Sequence, residues 1–207
     1  MLLPAKYDER KWTLARQLGV KYAITKAHPD LTNKPAPYDL ASLKQTKSNF
    51  QAKGIKLFGL EGDQFDMNPI KLGLNNRDEW IEKYIQMLRN MAELDMDLLC
   101  YNWMAVFGWY RTNVNILERG EALVSEFDLA DVGAKVDERY QIGESELWNN
   151  LYYFLEAVLP EAERLGIQMA LHPDDPPVSP LRGVARILTS SIAFDKLMTE
   201  FPSPANG

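Results

Sequence analysis

From Trp80 to Ala92 the apolar residues Trp80, Ile81, Tyr84, Ile85, Leu88, Met91 and Ala92 recur at a spacing of three and four. That period predicts an amphipathic helix with one face turned to a core. Asn76, with Glu79 three residues on, predicts an N-cap whose partner satisfies the free donors of the first turn. Weaker versions of the same period place Trp12, Ala15 and Leu18 on one face of residues 7–18. They do the same for Leu40, Leu43, Lys47 and Phe50 within residues 40–53. Leu147, Leu151, Phe154, Leu155, Val158, Ala162 and Leu165 share a face across residues 144–165. Pro160 inside that stretch predicts a kink, or a second helix starting there. A last helical pattern runs over residues 183–201 through Val184, Ile187, Leu188, Leu197 and Met198. Gly19, Gly54 and Gly166 stand where three of these patterns stop, as helix-ending residues do.

Between the helices lie short apolar runs, at residues 20–27, 55–60 and 96–104 and from Gly166 to His172. Runs of that length bounded by turn residues read as buried strands. Residues 31–38 and 64–74 read as loops. Strands alternating with helices imply a parallel sheet. No glycine-rich dinucleotide fingerprint or phosphate loop follows any strand, which argues against a Rossmann fold. The expectation is an α/β chain of (β/α) TIM-barrel type. A full barrel takes about 250 residues and eight strands, so either an open four-stranded α/β fold or, as the better fit, an incomplete barrel of about four strands is expected. It forms a single domain over residues 1–207, with an irregular insertion around 113–143, where Gly120, Gly133 and scattered charges break the pattern.

Composition narrows the function classes. The 207 residues are 46% hydrophobic and carry a net charge of −6, enough for one real core. The acidic balance argues against a nucleic-acid surface, which needs clustered Lys and Arg. No uninterrupted apolar stretch is long enough to span a membrane, and no apolar signal region follows the first residues. The single cysteine, Cys100, excludes an internal disulfide and fits a reducing compartment. A soluble cytoplasmic protein is the expectation. Cys100 itself is expected to point inward as a small apolar residue.

The chemistry-bearing residues gather where strands end. Both histidines occur in the same tripeptide, His28-Pro29-Asp30 after the first strand and His172-Pro173-Asp174 after the fourth. The prolines stop each strand, so His172, Asp174 and Asp175 sit at its carboxyl end, where parallel α/β folds bind ligands. Imidazole and carboxylate are common ligands of divalent transition metals; an Asp after a strand is equally ordinary turn chemistry. Glu61 and Asp63 end the second strand, as ligand-binding carboxylates or as caps. Asn102 ends the third, as a donor to a substrate oxygen or to a neighbouring strand. Arg111 could clamp a substrate carboxylate through two bonds or pair with a nearby acid.

Leu171-His172-Pro173-Asp174-Asp175-Pro176-Pro177 resembles the signature of the mannonate dehydratases. So do Leu88-Arg89-Asn90-Met91-Ala92, Leu99-Cys100-Tyr101-Asn102-Trp103-Met104-Ala105-Val106 and Trp109-Tyr110-Arg111-Thr112. Lys71-Leu72-Gly73 with Arg77-Asp78, Glu126-Phe127-Asp128 and Ser203-Pro204-Ala205-Asn206-Gly207 extend the likeness from about the first strand to the last residue. The resemblance implies a metal-dependent (β/α)-barrel hydro-lyase of hexuronate breakdown. It would convert D-mannonate to 2-keto-3-deoxy-D-gluconate and water with Fe²⁺ or Mn²⁺. It implies His172 as the metal ligand, and Asn102, Arg111, Asp174 and Asp175 on the substrate side; it assigns no catalytic acid or base.

Two departures qualify it. Gly108 stands where the family tends to have an acidic residue, and the chain stops before the family's later metal ligands, among them a cysteine that Cys100 does not match. The isolated chain is therefore expected to be impaired as a catalyst. Two other readings stand beside this one. The first is a half-barrel interaction module or split-enzyme half, with self-association or a carboxyl-terminal partner chain. The second is another metal-dependent sugar isomerase-type barrel.

Overall fold

Four parallel strands, flanked by helices on one face, carry the residues singled out above. The structure is a computed structural model describing residues 1–207. Its elements are α1 (Glu9–Gln17), β1 (Tyr22–Thr25), α2 (Pro29–Thr32), α3 (Leu40–Gln51), β2 (Lys56–Glu61), α4 (Asn68–Lys71) and α5 (Arg77–Glu93). There follow β3 (Leu98–Asn102), β4 (Asn113–Glu118), β5 (Ala122–Glu126), α6 (Glu144–Leu165), β6 (Gln168–His172) and α7 (Ser191–Glu200). The sheet order is β1-β2-β3-β6, every pair parallel. No helix is long and apolar enough to cross a membrane.

Alternation along the strands separates the two faces. Ala23, Leu57, Leu60, Leu99, Tyr101, Met169 and Leu171 are buried. Phe58, Cys100 and Ala170 are only partly covered, and Tyr22 and His172 are exposed. The β1–β2 register skips Phe58, which keeps both Leu57 and Leu60 in the core. On its other edge β2 meets β3 at Gly59, where a Cβ would lie 2.0 Å from the Leu98 carbonyl oxygen. On the helical side Tyr84 meets Phe154 edge-on with ring centroids 4.9 Å apart, and Trp103 lies 5.1 Å from the same ring. The Trp103 indole donates to the Leu147 carbonyl at 3.1 Å.

Both sheet edges carry a further short parallel partner that apolar patterning did not reveal. Leu3 N donates to Ile24 O and Ile24 N to Met1 O, each at 3.0 Å, beside β1. Beside β6, Met169 N donates to Ala205 O at 2.7 Å and Gly207 N to Met169 O at 2.9 Å. The sheet thus has six parallel positions, of which the outer two span about three residues each.

Several local expectations are corrected. Asn76 makes no side-chain cap bond at the start of α5. Its own φ of −98° and ψ of 13° continue the preceding turn instead of the extended backbone from which a cap reaches forward. α6 runs as one helix through Pro160, so no second helix begins there; Val158, Leu159 and Ala162, on both sides of the proline, are buried. The loop at 64–74 contains α4, and the loop after β1 opens with the single turn α2. The terminal helix starts only at Ser191, capped by Ser190. Val184, Ile187 and Leu188 are buried without being helical, because their backbone bonds go elsewhere: Ala185 N to Ile142 O and Asp174 N to Leu188 O, both at 3.0 Å. Cys100 is half-buried on the face without helices, beside Glu61, and burial, aided by that carboxylate, pushes its thiol up to about 11. Residues 113–126 form the antiparallel β4–β5 hairpin, with Val114, Leu117 and Leu123 exposed.

Candidate functional site

The carboxyl ends of β1, β2, β3 and β6 open on one side of the molecule, and three polar arrangements meet there. The first is centred on Lys71. Its short helix α4 turns the side chain under the strand ends, leaving it 1% exposed. Lys71 Nζ lies 2.9 and 2.8 Å from the two Asp63 oxygens, 3.0 Å from Asn102 Oδ1 and 3.2 Å from the Met104 carbonyl. Burial lowers its pKa, and the Asp63 charge works against that fall. Asn102 completes the cluster by donating from Nδ2 to Asp63 at 3.2 Å and accepting from Met104 N at 3.1 Å. The backbone of Lys71 is fixed in turn by Asn150 on α6, which donates to its carbonyl at 3.0 Å. Gly73 lies so close to that amide that a Cβ would be 2.7 Å from it. Gln64 ties β1 to β2: it accepts from Ala27 N and donates to Glu61 O and Gly62 O, each at 2.8 Å.

The second arrangement follows β6. Arg111 Nη1 and Nη2 donate to the two Asp175 oxygens at 2.7 and 2.8 Å, while the guanidinium lies 4.1 Å over the Trp109 ring. The Arg111 bonds hold the Asp175 carboxyl below its ordinary pKa. Asp174, its neighbour, turns into the protein and is 3% exposed. One oxygen accepts from Leu188 N at 2.9 Å; the other, Oδ1, has no partner. Burial raises its pKa against the pull of the Leu188 amide and Arg186. Arg186 is as deeply buried and donates from Nη2 to the Phe107 and Gly108 carbonyls at 3.1 Å each; burial lowers its pKa. His172 stays exposed. Its Nδ1 lies 2.6 Å from the Pro173 carbonyl; that acceptor fixes the proton on Nδ1 and leaves Nε2 as the free lone pair.

The third is a cleft of about 340 Å³ lined by Lys26, His28, Asp63, Asp66, Asn68 and Met104, among others. His28 Nδ1 accepts from Asp30 N at 3.2 Å.

The residues singled out in sequence therefore divide. Asn102 and His172 are register partners across β3 and β6, and Arg111 is joined to Asp175. Asn102 belongs to the Lys71 cluster, and Asp174 is bonded to the Leu188 amide, within the electrostatic reach of the buried Arg186. Met104 touches both groups, since its sulfur accepts from Asp175 N at 3.5 Å. Lys71 and Arg186 received no role from sequence. For Arg186 the signal was a lone charge inside the apolar run Val184-Ala185-Arg186-Ile187-Leu188. Lys71 had only the apolar Pro69-Ile70 before it and Leu72 after it. No three His, Cys, Asp or Glu side chains converge in a way that could hold a metal ion.

A family model described as D-mannonate dehydratase (UxuA) matches residues 7–139 and 126–207. Mannonate dehydratase 2 of Halalkalibacterium halodurans is 36% identical over 185 residues, covering 78% of this chain and 53% of the relative. The mannonate dehydratase of Shouchella clausii is 34% identical over 220 aligned residues, covering 91% of this chain and 60% of the relative. The chain thus spans about half the length of the curated relatives it matches. The crystal structure of mannonate dehydratase from Streptococcus suis serotype 2 superimposes with a TM-score of 0.86 at 28% identity, over 100% of this chain and 62% of that one. A xylose isomerase-like TIM barrel protein from Mycobacterium smegmatis matches 96% of this chain and 54% of its own, at a TM-score of 0.54 and 10% identity, a likeness of fold alone. The parallel sheet is accordingly that of a (β/α) barrel, as the alternation of elements predicts.

Proposed function

The chain belongs to the D-mannonate dehydratase family, and from that premise we propose that it forms part of a hydro-lyase acting on D-mannonate. The reaction removes the proton beside the carboxylate and the hydroxyl of the next carbon as water; the resulting enol rearranges to 2-keto-3-deoxy-D-gluconate. The observation that carries the reading is the superposition of the whole chain on a mannonate dehydratase at a TM-score of 0.86.

His172 suits one ligand position for a divalent cation, Fe²⁺ or Mn²⁺. Metal-binding histidines usually give their other N–H to a carbonyl or carboxylate, which fixes the ring and its tautomer, and the 2.6 Å contact to the Pro173 carbonyl has that form. A bound cation would supply positive charge against the enediolate-like charge that develops on proton loss. The remaining acids do not complete a centre: Asp175 is committed to Arg111 and Asp174 to the Leu188 amide, whereas a catalytic site uses about three protein ligands. What this chain contributes is the imidazole, the rigid strand ends around it, and the polar groups of the adjoining cleft.

The test is water loss from D-mannonate by the purified chain with Mn²⁺, followed by NMR of the keto-deoxy product beside D-gluconate and aldoses as alternatives. Slow turnover confined to D-mannonate and abolished in His172→Ala is expected. Preference for another aldonate or an aldose, or turnover indifferent to His172, overturns the reading.

The exposed Tyr22, packed against Phe58 at 6.4 Å on the face without helices, favours a second reading in which another chain covers that face. A monomer by light scattering at high concentration would count against it.

A further inference from the structure

The cleft at the ends of β1 and β2 is lined both by nitrogen donors and by oxygen acceptors. Lys26 comes from the end of β1, lies along Gly62 with its Cδ 3.9 Å from where a Cβ would stand, and lines the cleft. Its ammonium takes part in none of the ion pairs of this end of the sheet, where Lys71 is bound to Asp63 and Arg111 to Asp175. The Lys26 charge also acts against that of the buried Lys71, so negative charge in the cleft relieves both. His28 supplies the second donor. Its Nδ1 accepts the Asp30 amide hydrogen at 3.2 Å, so the imidazole proton resides on Nε2.

The segment after β2 supplies acceptors to the same cleft. Both Asp63 oxygens face Lys71 from one side, and the carboxyl remains 28% exposed toward the cleft. Asp66 gives one oxygen to Asn68 N at 3.0 Å and keeps the other. Asp30 also borders the cleft, 3.5 Å from His28, but is almost wholly in solvent. A free ammonium beside carboxylates suits neither a polyanion nor a bare cation. It suits a small molecule that carries one negative charge and several hydroxyls, whose hydrogens the carboxylates accept. The cleft volume of about 340 Å³ falls within the range of small-molecule pockets, about 300–1,000 Å³.

The geometry points to Lys26 and His28 as the seat of the carboxylate of a polyhydroxy acid, with Asp63 and Asp66 receiving its hydroxyls. This rests on the dehydratase reading for the identity of the acid, and it reassigns the carboxylate-binding role from Arg111, whose two terminal nitrogens already hold the Asp175 carboxylate in a bidentate pair.

The chain has two histidines, so imidazole NMR reports on this cleft through His28 alone. The probes are D-mannonate, D-gluconate and D-mannitol, which keeps the hydroxyls and lacks the charge. D-Mannonate is expected to shift the His28 signals at concentrations about tenfold below those needed for mannitol. Lys26→Met should raise its apparent Kd by about tenfold, the scale of one charge-assisted contact, and leave mannitol within twofold. Lys26→Arg should restore most of the affinity, which a merely structural lysine would not require. Equal binding of D-gluconate, still dependent on Lys26, supports the seat and overturns D-mannonate as the preferred substrate. Acids no better than mannitol, or affinities unmoved by Lys26→Met with the fold intact by circular dichroism, overturn the seat itself.

Discussion

Lys71 Nζ sits 2.8 and 2.9 Å from the two oxygens of Asp63, with the lysine wholly buried and the carboxyl partly open to the cleft. One ammonium therefore neutralises Asp63, orients Asn102 and holds the Met104 carbonyl, three groups from two different strand ends. Removing one partner of a buried pair leaves the other charge uncompensated, at about 3–5 kcal/mol. Lys71→Met is expected to lower the unfolding free energy by about that amount in urea titration. A loss under about 1 kcal/mol would mean that the pair is solvated.

The Arg111–Asp175 clamp should show itself in acid. Arg111 holds the folded-state pKa of Asp175 below its unfolded value. Such a group stabilises the fold above the unfolded pKa, about 3.9, and that contribution is lost as pH falls through the lower folded value. Asp175→Asn should therefore flatten part of the decline in stability below about pH 4. At neutral pH it should cost about 1 kcal/mol, a modest figure because both side chains keep some solvent contact. An unchanged acid limb would show that the clamp does not persist in solution.

Gly59 offers a purely steric test. A methyl group 2.0 Å from the Leu98 carbonyl oxygen meets backbone, which no rotamer can relieve. Gly59→Ala is expected to destabilise the chain by about 3 kcal/mol, the upper end of overpacking costs. Gly143→Ala, whose Cβ meets nothing within 4 Å, should serve as a control of small effect by the same thermal melt.

Patterning made the frame legible and the site only partly so. The stripe from Trp80 to Ala92 identifies α5, because a helix packed on one face leaves its period in the sequence. His172 and Asp175 are readable at a strand end because prolines interrupt the ladder just beyond them. The outer sheet positions at Met1–Leu3 and Ala205–Gly207 are too short for any period to register. Residues 183–188 mislead for a different reason: buried extended backbone has the same apolar content as a helix face. Asp63 lies only 8 residues from Lys71, but other partners lie far along the chain, 31 residues for Lys71 with Asn102 and 64 for Arg111 with Asp175. Local sequence therefore shows which residues can form an ion pair and not which of them are already taken. That is why Arg111 reads equally as a carboxylate clamp or an ion-pair partner, and Lys71 enters only as part of a family-like element with no role of its own.

The role of His172 admits a direct measurement. Its Nδ1 is held by the Pro173 carbonyl and its Nε2 is free, while His28 Nδ1 accepts a backbone amide hydrogen and leaves the proton on Nε2. Mn²⁺ added in small increments to the labelled chain broadens the imidazole signals of whichever histidine it approaches. Selective broadening of His172 at low Mn²⁺, with His28 sharp until much higher concentration, is the expected result. Broadening of both together, or of His28 first, would contradict the assignment of His172 as the metal ligand.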